Sequence, residues 1–341
     1  MDEWLQTADK HIKIYRVIVY MKYAKYILTI ITMTLAGILY EKYKDTEMND
    51  EDAKNYELVK KYLLNDSSLA QSKRPLLWIH MTYDINARWW PSFSSRNTNC
   101  LNQPYKYLTI KSIIDRCGND FNICLIDDDT FSKILPGWSI NLNMIAEPIR
   151  GKIRQLALAR VLHAFGGMVV PNSFICFQNL IDTYESNTRS NRMFVGELID
   201  RGSTAQQVDF FPSTKFMGCQ RDCPMMSEYI QYLEYMNSTD YTAESNFLGA
   251  YGRWCFDKTL KGEMNLVTAD KLGVRNVRGE PVTIEALIGD GYIKLPNSAL
   301  GLYIPDDAIL KRTKFQWFAR LSAQQALESE TQIGKYLLIS R

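Results

Sequence analysis

From Arg74 onward, short apolar runs alternate with longer amphipathic or alanine-rich stretches. Pro75 to His80 (PLLWIH) predicts a first buried strand, and Tyr107 to Cys117 predicts a helix stopped by Gly118-Asn119. Asn122 to Ile126 (NICLI) predicts a second strand that ends in Asp127-Asp128-Asp129. Ile153 to Phe165 predicts a helix that breaks at Gly166-Gly167. Met168 to Val170 then predicts a strand closed by Pro171-Asn172-Ser173. Strand and helix in alternation predict an α/β sheet with parallel pairs. Ligands of such sheets bind beyond the carboxyl ends of the strands, where His80, the aspartate triplet and Asn172 fall.

Upstream the pattern changes. Tyr26 to Tyr40 (YILTIITMTLAGILY) carries no charge and follows Lys22 and Lys25. A bilayer core needs about 20 apolar residues, and extending the run back to Tyr20 with the lysines snorkelling supplies them. No small-residue cleavage site follows, so a retained anchor is favoured over a removed leader, with a buried or amphipathic helix as the alternative. Lysines and arginines at 10, 13, 16, 22 and 25 slightly outweigh those at 42, 44, 54 and 60. That bias predicts a single-pass membrane protein with a cytosolic N-terminus. The expected organisation is a basic segment at 1–25, an anchor core at 26–40, a charged stem at 41–72 and one domain at 73–341.

Composition narrows the partners. The 341 residues are 46% hydrophobic with a net charge of +2, so nothing favours broad contact with a nucleic-acid backbone. Seven cysteines and three histidines are scattered, and only Cys219 and Cys223 are neighbours, which does not make a zinc set. That pair reads as a local disulfide in an oxidising compartment or as buried thiols elsewhere. Asn65-Asp66-Ser67 and Asn237-Ser238-Thr239 match the glycosylation acceptor pattern.

Three segments carry a family resemblance: RPLLWIH at 74–80, NICLIDDDTFSKILP at 122–136, and the helix leading into GGMVVPNS at 166–173. Together they resemble glycosyltransferases of the GT-A kind, in particular the group of capsular polysaccharide synthesis and initiating mannosyltransferase proteins, including relatives in large DNA viruses. The resemblance implies an α/β fold with a mixed, mostly parallel sheet flanked by helices, here behind a transmembrane helix. It implies a nucleotide-sugar donor and a glycan or glycoprotein acceptor. It also implies an Asp-x-Asp turn holding a divalent cation against the leaving diphosphate. Here that turn is Pro171, Asn172 and Ser173, without a carboxylate. The acid and arginine typical of the preceding helix fall at Gln155 and Leu158.

Within that resemblance each candidate keeps two readings. Asp127 and Asp129 form a literal Asp-x-Asp that can hold a metal or, with Asp128, meet the nucleotide; otherwise the triplet is an acidic turn with Asp129 capping the next helix. His80 pairs with a nucleobase edge or is a satisfied core group. Glu244, with Asp240 on the same helical face, takes the acceptor's proton, or both simply start a helix. Lys311, Arg312 and Lys314 replace the cation at the diphosphate, or form a solvated face with Phe315 and Trp317 docked inward. Trp78, Tyr83, Trp89 and Trp90 stack on sugars or pack. The function implied is sugar transfer with a degenerate metal motif. The competing function is an inactive structural or glycan-binding protein of the same fold in a membrane or virus particle.

Overall fold

Burial on both faces explains the uninterrupted apolar run after Arg74. In the computed structural model, which describes residues 74–81, 103–135, 137–198, 210–239 and 250–341, that run is strand β1, Leu76–His80. Side chains alternate across a strand. Leu77 and Ile79 therefore enter one core with Ile110 and Ile113 of the Lys106–Cys117 helix. Leu76 and Trp78 enter a second core with Leu156, Ala157 and Val161 of the Ile149–Phe165 helix. A strand covered on both faces has no solvated positions to fill with polar residues.

The remaining strands are β2 (Asn122–Ile126), β3 (Gly167–Val169), β4 (Phe174–Cys176), β5 (Phe194–Glu197), β6 (Pro212–Cys219), β7 (Asn265–Val267) and β8 (Gly301–Tyr303). Six of them form one mixed sheet in the order β2-β1-β3-β6-β5-β7. All run the same way except β6, which is antiparallel to both its neighbours. β4 and β8 make a separate antiparallel pair. A third core packs this pair, through Ile175, Leu302 and Ile304, against Phe318, Leu327 and Ile333 of the C-terminal helices. The expected mixed, mostly parallel sheet flanked by helices is therefore present.

The paired glycines fix how β3 enters the sheet. Gly166 ends the preceding helix at φ 73°, and Gly167 follows at φ 98°. A Cβ on Gly167 would lie 2.1 Å from the Leu76 carbonyl oxygen, so only glycine allows β3 alongside β1 here. Trp78 closes the corner by donating its indole N–H to the Gly166 carbonyl at 2.9 Å. Trp78 is fully buried, so its packing reading is the one realised.

Element boundaries shift modestly from the sequence pattern. The helix predicted from Ile153 begins at Ile149, because its first turn, Ile149 to Lys152, buries no apolar face and so leaves no periodic signal. Trp317, expected to dock inward, is 44% exposed, while Phe315 is buried. The six described cysteines are buried free thiols, Cys219 and Cys223 among them. The anchor, the stem, Asn65, Tyr83, Trp89, Trp90, Asp240 and Glu244 lie outside the described residues. Among the described residues no helix is long and apolar enough to cross a membrane.

Candidate functional site

Strand order reverses at β1. The chain passes from β1 to β2 on one side, and returns to place β3 on the other. Helices leave such a point on opposite faces of the sheet, so a crevice opens beyond the carboxyl ends of the two strands. A cavity of about 730 Å³ lies there, within the size range of small-molecule sites. Its wall includes His80 from the end of β1 and the Pro171-Asn172-Ser173 turn after β3. One face of the Ile149–Phe165 helix presents Gly151, Arg154, Gln155 and Leu158, the three-and-four spacing of a single helical stripe. Lys215 on β6, Tyr303 on β8, and Asp306, Asp307 and Lys311 from the Asp306–Lys311 helix complete the other side.

A clasp of three side chains braces the helix side. Arg154 donates Nε and Nη2 to the two oxygens of Asp128 at 2.8 and 2.7 Å, a bidentate pair. Its other amine lies 3.7 Å from Glu147. His80 Nε2 sits 2.9 Å from Asp128 Oδ1, and its ring stacks on Phe131 at 5.5 Å. Burial pushes the Asp128 carboxyl up, but the hydrogen bonds of Arg154 and His80 outweigh it and hold the group well below the usual range. Asp128 is thus an acceptor, so Nε2 carries the ring proton and Nδ1 is an acceptor. Burial lowers the His80 pKa against the pull of Asp128, keeping the imidazole neutral.

The other two aspartates of the triplet face elsewhere. Asp127 Oδ1 accepts from the Thr130 backbone N–H at 2.9 Å and from the Thr130 hydroxyl at 2.6 Å. It is Asp127, not Asp129, whose carboxylate caps the Thr130–Ile134 helix, because it lies three residues before the first free N–H. Asp129 accepts from Asn143 Nδ2 at 3.0 Å. Among the described residues no group of three or more His, Cys, Asp or Glu side chains gathers as a metal set.

The turn after β3 does not fit a divalent cation. Proline offers no side-chain ligand, and Asn172 spends its amide N–H₂ on the His80 carbonyl at 3.0 Å. Thr109 donates to the Asn172 carbonyl at 2.5 Å. The Ser173 hydroxyl is buried and has no hydrogen-bond partner among the described residues. Neutral oxygens alone are a poor set for a hard cation. Gln155, where the resemblance expects an acid, donates to Thr214 Oγ1 at 2.5 Å and to the Tyr229 hydroxyl at 2.6 Å.

The C-terminal cations divide. Lys311 is exposed and lines the cavity. Arg312 instead pairs with Glu285, and Lys314 lies over the Phe315 ring at 5.6 Å, both outside the cavity wall. Two ion pairs that the sequence does not reveal replace them. Buried Lys106 meets Asp306 at 2.5 Å, and Lys215 meets Asp307 at 2.8 Å with the Tyr303 hydroxyl at 3.4 Å. The partners lie 200 and 92 residues apart, so no local spacing announces them. The acid doublet at 306–307 is the one available signal.

No protein-family model matches the chain, and no curated protein matches it. Among solved structures it is similar to the apo-form glycosyltransferase GlyE of Streptococcus pneumoniae TIGR4. The TM-score is 0.33 at 9% identity, over 58% of this chain and 46% of that one. The chain therefore spans under half the length of that protein. The cavity and its side chains carry the functional reading.

Proposed function

We propose that the chain is a glycosyltransferase, binding a nucleotide-sugar donor in the cavity at the carboxyl ends of β1 and β3 and passing the sugar to a glycan or glycoprotein. The observation that carries this reading is the coincidence of a cavity of about 730 Å³ with the point where strand order reverses. The nucleotide lies on the helix side, near His80 and Gln155, with Asp128 acting through His80 and Asp127 through its turn. Lys311 faces the diphosphate. The acceptor hydroxyl oxygen attacks the anomeric carbon. The bond from that carbon to the diphosphate breaks with its electron pair on the leaving oxygen, and the hydroxyl proton passes to Glu244 or, as the second candidate acid, Asp240. The 26–40 segment tethers the enzyme to a membrane with its N-terminus cytosolic.

One observation favours the second reading, an inactive glycan-binding protein of the same fold. Among the described residues of the cavity wall, Glu147, Asp306 and Asp307 are all ion-paired. Incubation with UDP-sugars and GDP-sugars, following release of the nucleoside diphosphate with and without glycan acceptors, separates the two. Release that stops in Glu244→Gln supports transfer. Tight glycan binding with no release from any donor supports the inactive reading.

A further inference from the structure

The missing carboxylates at the β3 turn leave a question of charge: what meets an anion there. β3 and β6 pair antiparallel with Gly167 opposite Cys219, Met168 opposite Gly218 and Val169 opposite Met217. Lys215, two residues before Met217 on β6, lines the same cavity as the Pro171-Asn172-Ser173 turn that follows β3. Lys215 is half exposed to the cavity, held by Asp307 at 2.8 Å and near the Tyr303 hydroxyl. Lys311 stands one helical turn beyond Asp307, so both line the same side. Asp306 is already neutralised by buried Lys106. Three ammonium groups against two carboxylates leave this corner with one net positive charge.

We propose that this corner binds the diphosphate of a nucleoside diphosphate without any divalent cation, with Lys215 as the principal contact, Lys311 as the second, and Asp307 as an exchangeable counter-ion. The proposal rests on the donor-site reading above and deepens it. Ammonium groups aimed at a phosphate do the electrostatic work of a cation in a site from which water is partly excluded. In the free protein Asp307 satisfies Lys215. When the diphosphate enters, its oxygens compete with that carboxylate for the same amine. Asp307 therefore opposes binding, the reverse of what a metal-ligating carboxylate would do.

Calorimetric titration of the full-length chain with UDP and with GDP, in EDTA and in manganese, tests this directly. Affinity is expected to agree within about twofold between the two conditions, as an ammonium site requires. Lys215→Gln is expected to weaken binding at least about tenfold and Lys311→Gln about threefold, with Lys215→Arg retaining most of the affinity. Asp307→Asn is expected to tighten binding about threefold by freeing the amine. Melting curves of each variant report folding separately. Binding that needs manganese, or that disappears in Asp307→Asn while the protein stays folded, overturns the proposal and makes Asp307 a metal ligand. Unchanged affinity in Lys215→Gln overturns it by placing the diphosphate elsewhere. Absence of binding by either nucleotide in both conditions overturns the donor-site reading itself.

Discussion

Replacing Asp128 with asparagine removes the charge on which the cavity's helix side depends and nearly preserves its shape. In the native chain that carboxylate accepts two bonds from Arg154 and one from His80. Hydrogen bonds to a charged group contribute about 1.5–3 kcal/mol each, and breaking one side of a buried ion pair costs about 3–5 kcal/mol. Both side chains retain some contact with water, at 15% and 16% exposure, and Glu147 stands 3.7 Å away as a substitute partner for Arg154. Those two facts place the expected loss at the low end, about 3 kcal/mol at neutral pH. The pH dependence follows from the depressed carboxyl pKa. A group ionised more readily folded than unfolded contributes its full stability above the unfolded value of about 3.9, and loses it as pH falls below. The gap between wild type and Asp128→Asn should therefore be constant above about pH 5 and narrow below about pH 4. Urea unfolding at a series of pH values measures it. A loss under about 0.5 kcal/mol at pH 7 would refute the clasp as a structural element, since that is the range of ordinary surface substitutions.

Three further outcomes are expected. Gly167→Ala forces a side chain against the Leu76 carbonyl and into a positive φ, and should cost about 3 kcal/mol in urea unfolding; a cost under about 1 kcal/mol would contradict the close approach of β3 to β1. His80 is held neutral by burial, so the unfolded chain takes its proton more readily and stability falls as pH drops below about 6.5. His80→Gln should flatten that part of the profile between pH 7.5 and 5.5, and an identical slope in both proteins would count against it. Ser173→Ala removes a buried hydroxyl with no partner among the described residues and should raise stability by about 1 kcal/mol, where a loss of similar size would reveal a hydrogen bond at that oxygen.

Much of the sheet was legible because burial on two faces writes itself as continuous apolar runs. PLLWIH and NICLI each became a strand at the expected place, and the strand expected at Met168 to Val170 runs one residue earlier, from Gly167 to Val169. The Gly166-Gly167 break was readable for a different reason, since glycine alone accepts such backbone angles without strain. The antiparallel β6 and the β4–β8 pair were not anticipated, because strands whose partners lie far away in sequence carry no local signal of that pairing. At the site, His80 and Asn172 were singled out by their positions at strand ends, Gln155 by the family resemblance and Lys311 by its basic, aromatic segment; all four line the cavity. Lys215 and Arg154 were missed, because an isolated cation in a half-buried strand or helix resembles any solvated residue. Only the position of β6 beside the cavity, and the packing of the Ile149–Phe165 helix against the turn after β2, give them a role.

The central claim is that the cavity at the carboxyl ends of β1 and β3 receives a nucleoside diphosphate. Hydrogen exchange of the full-length chain with and without UDP or GDP tests it most directly. Slowed exchange at 167–176, 212–219 and 306–311, with the Ile181–Thr188 helix unchanged, is the result the account predicts. Protection confined to the opposite end of the same strands, where Arg74, Gln220 and Arg221 line a second pocket, would contradict it, as would no protection at all from either nucleotide.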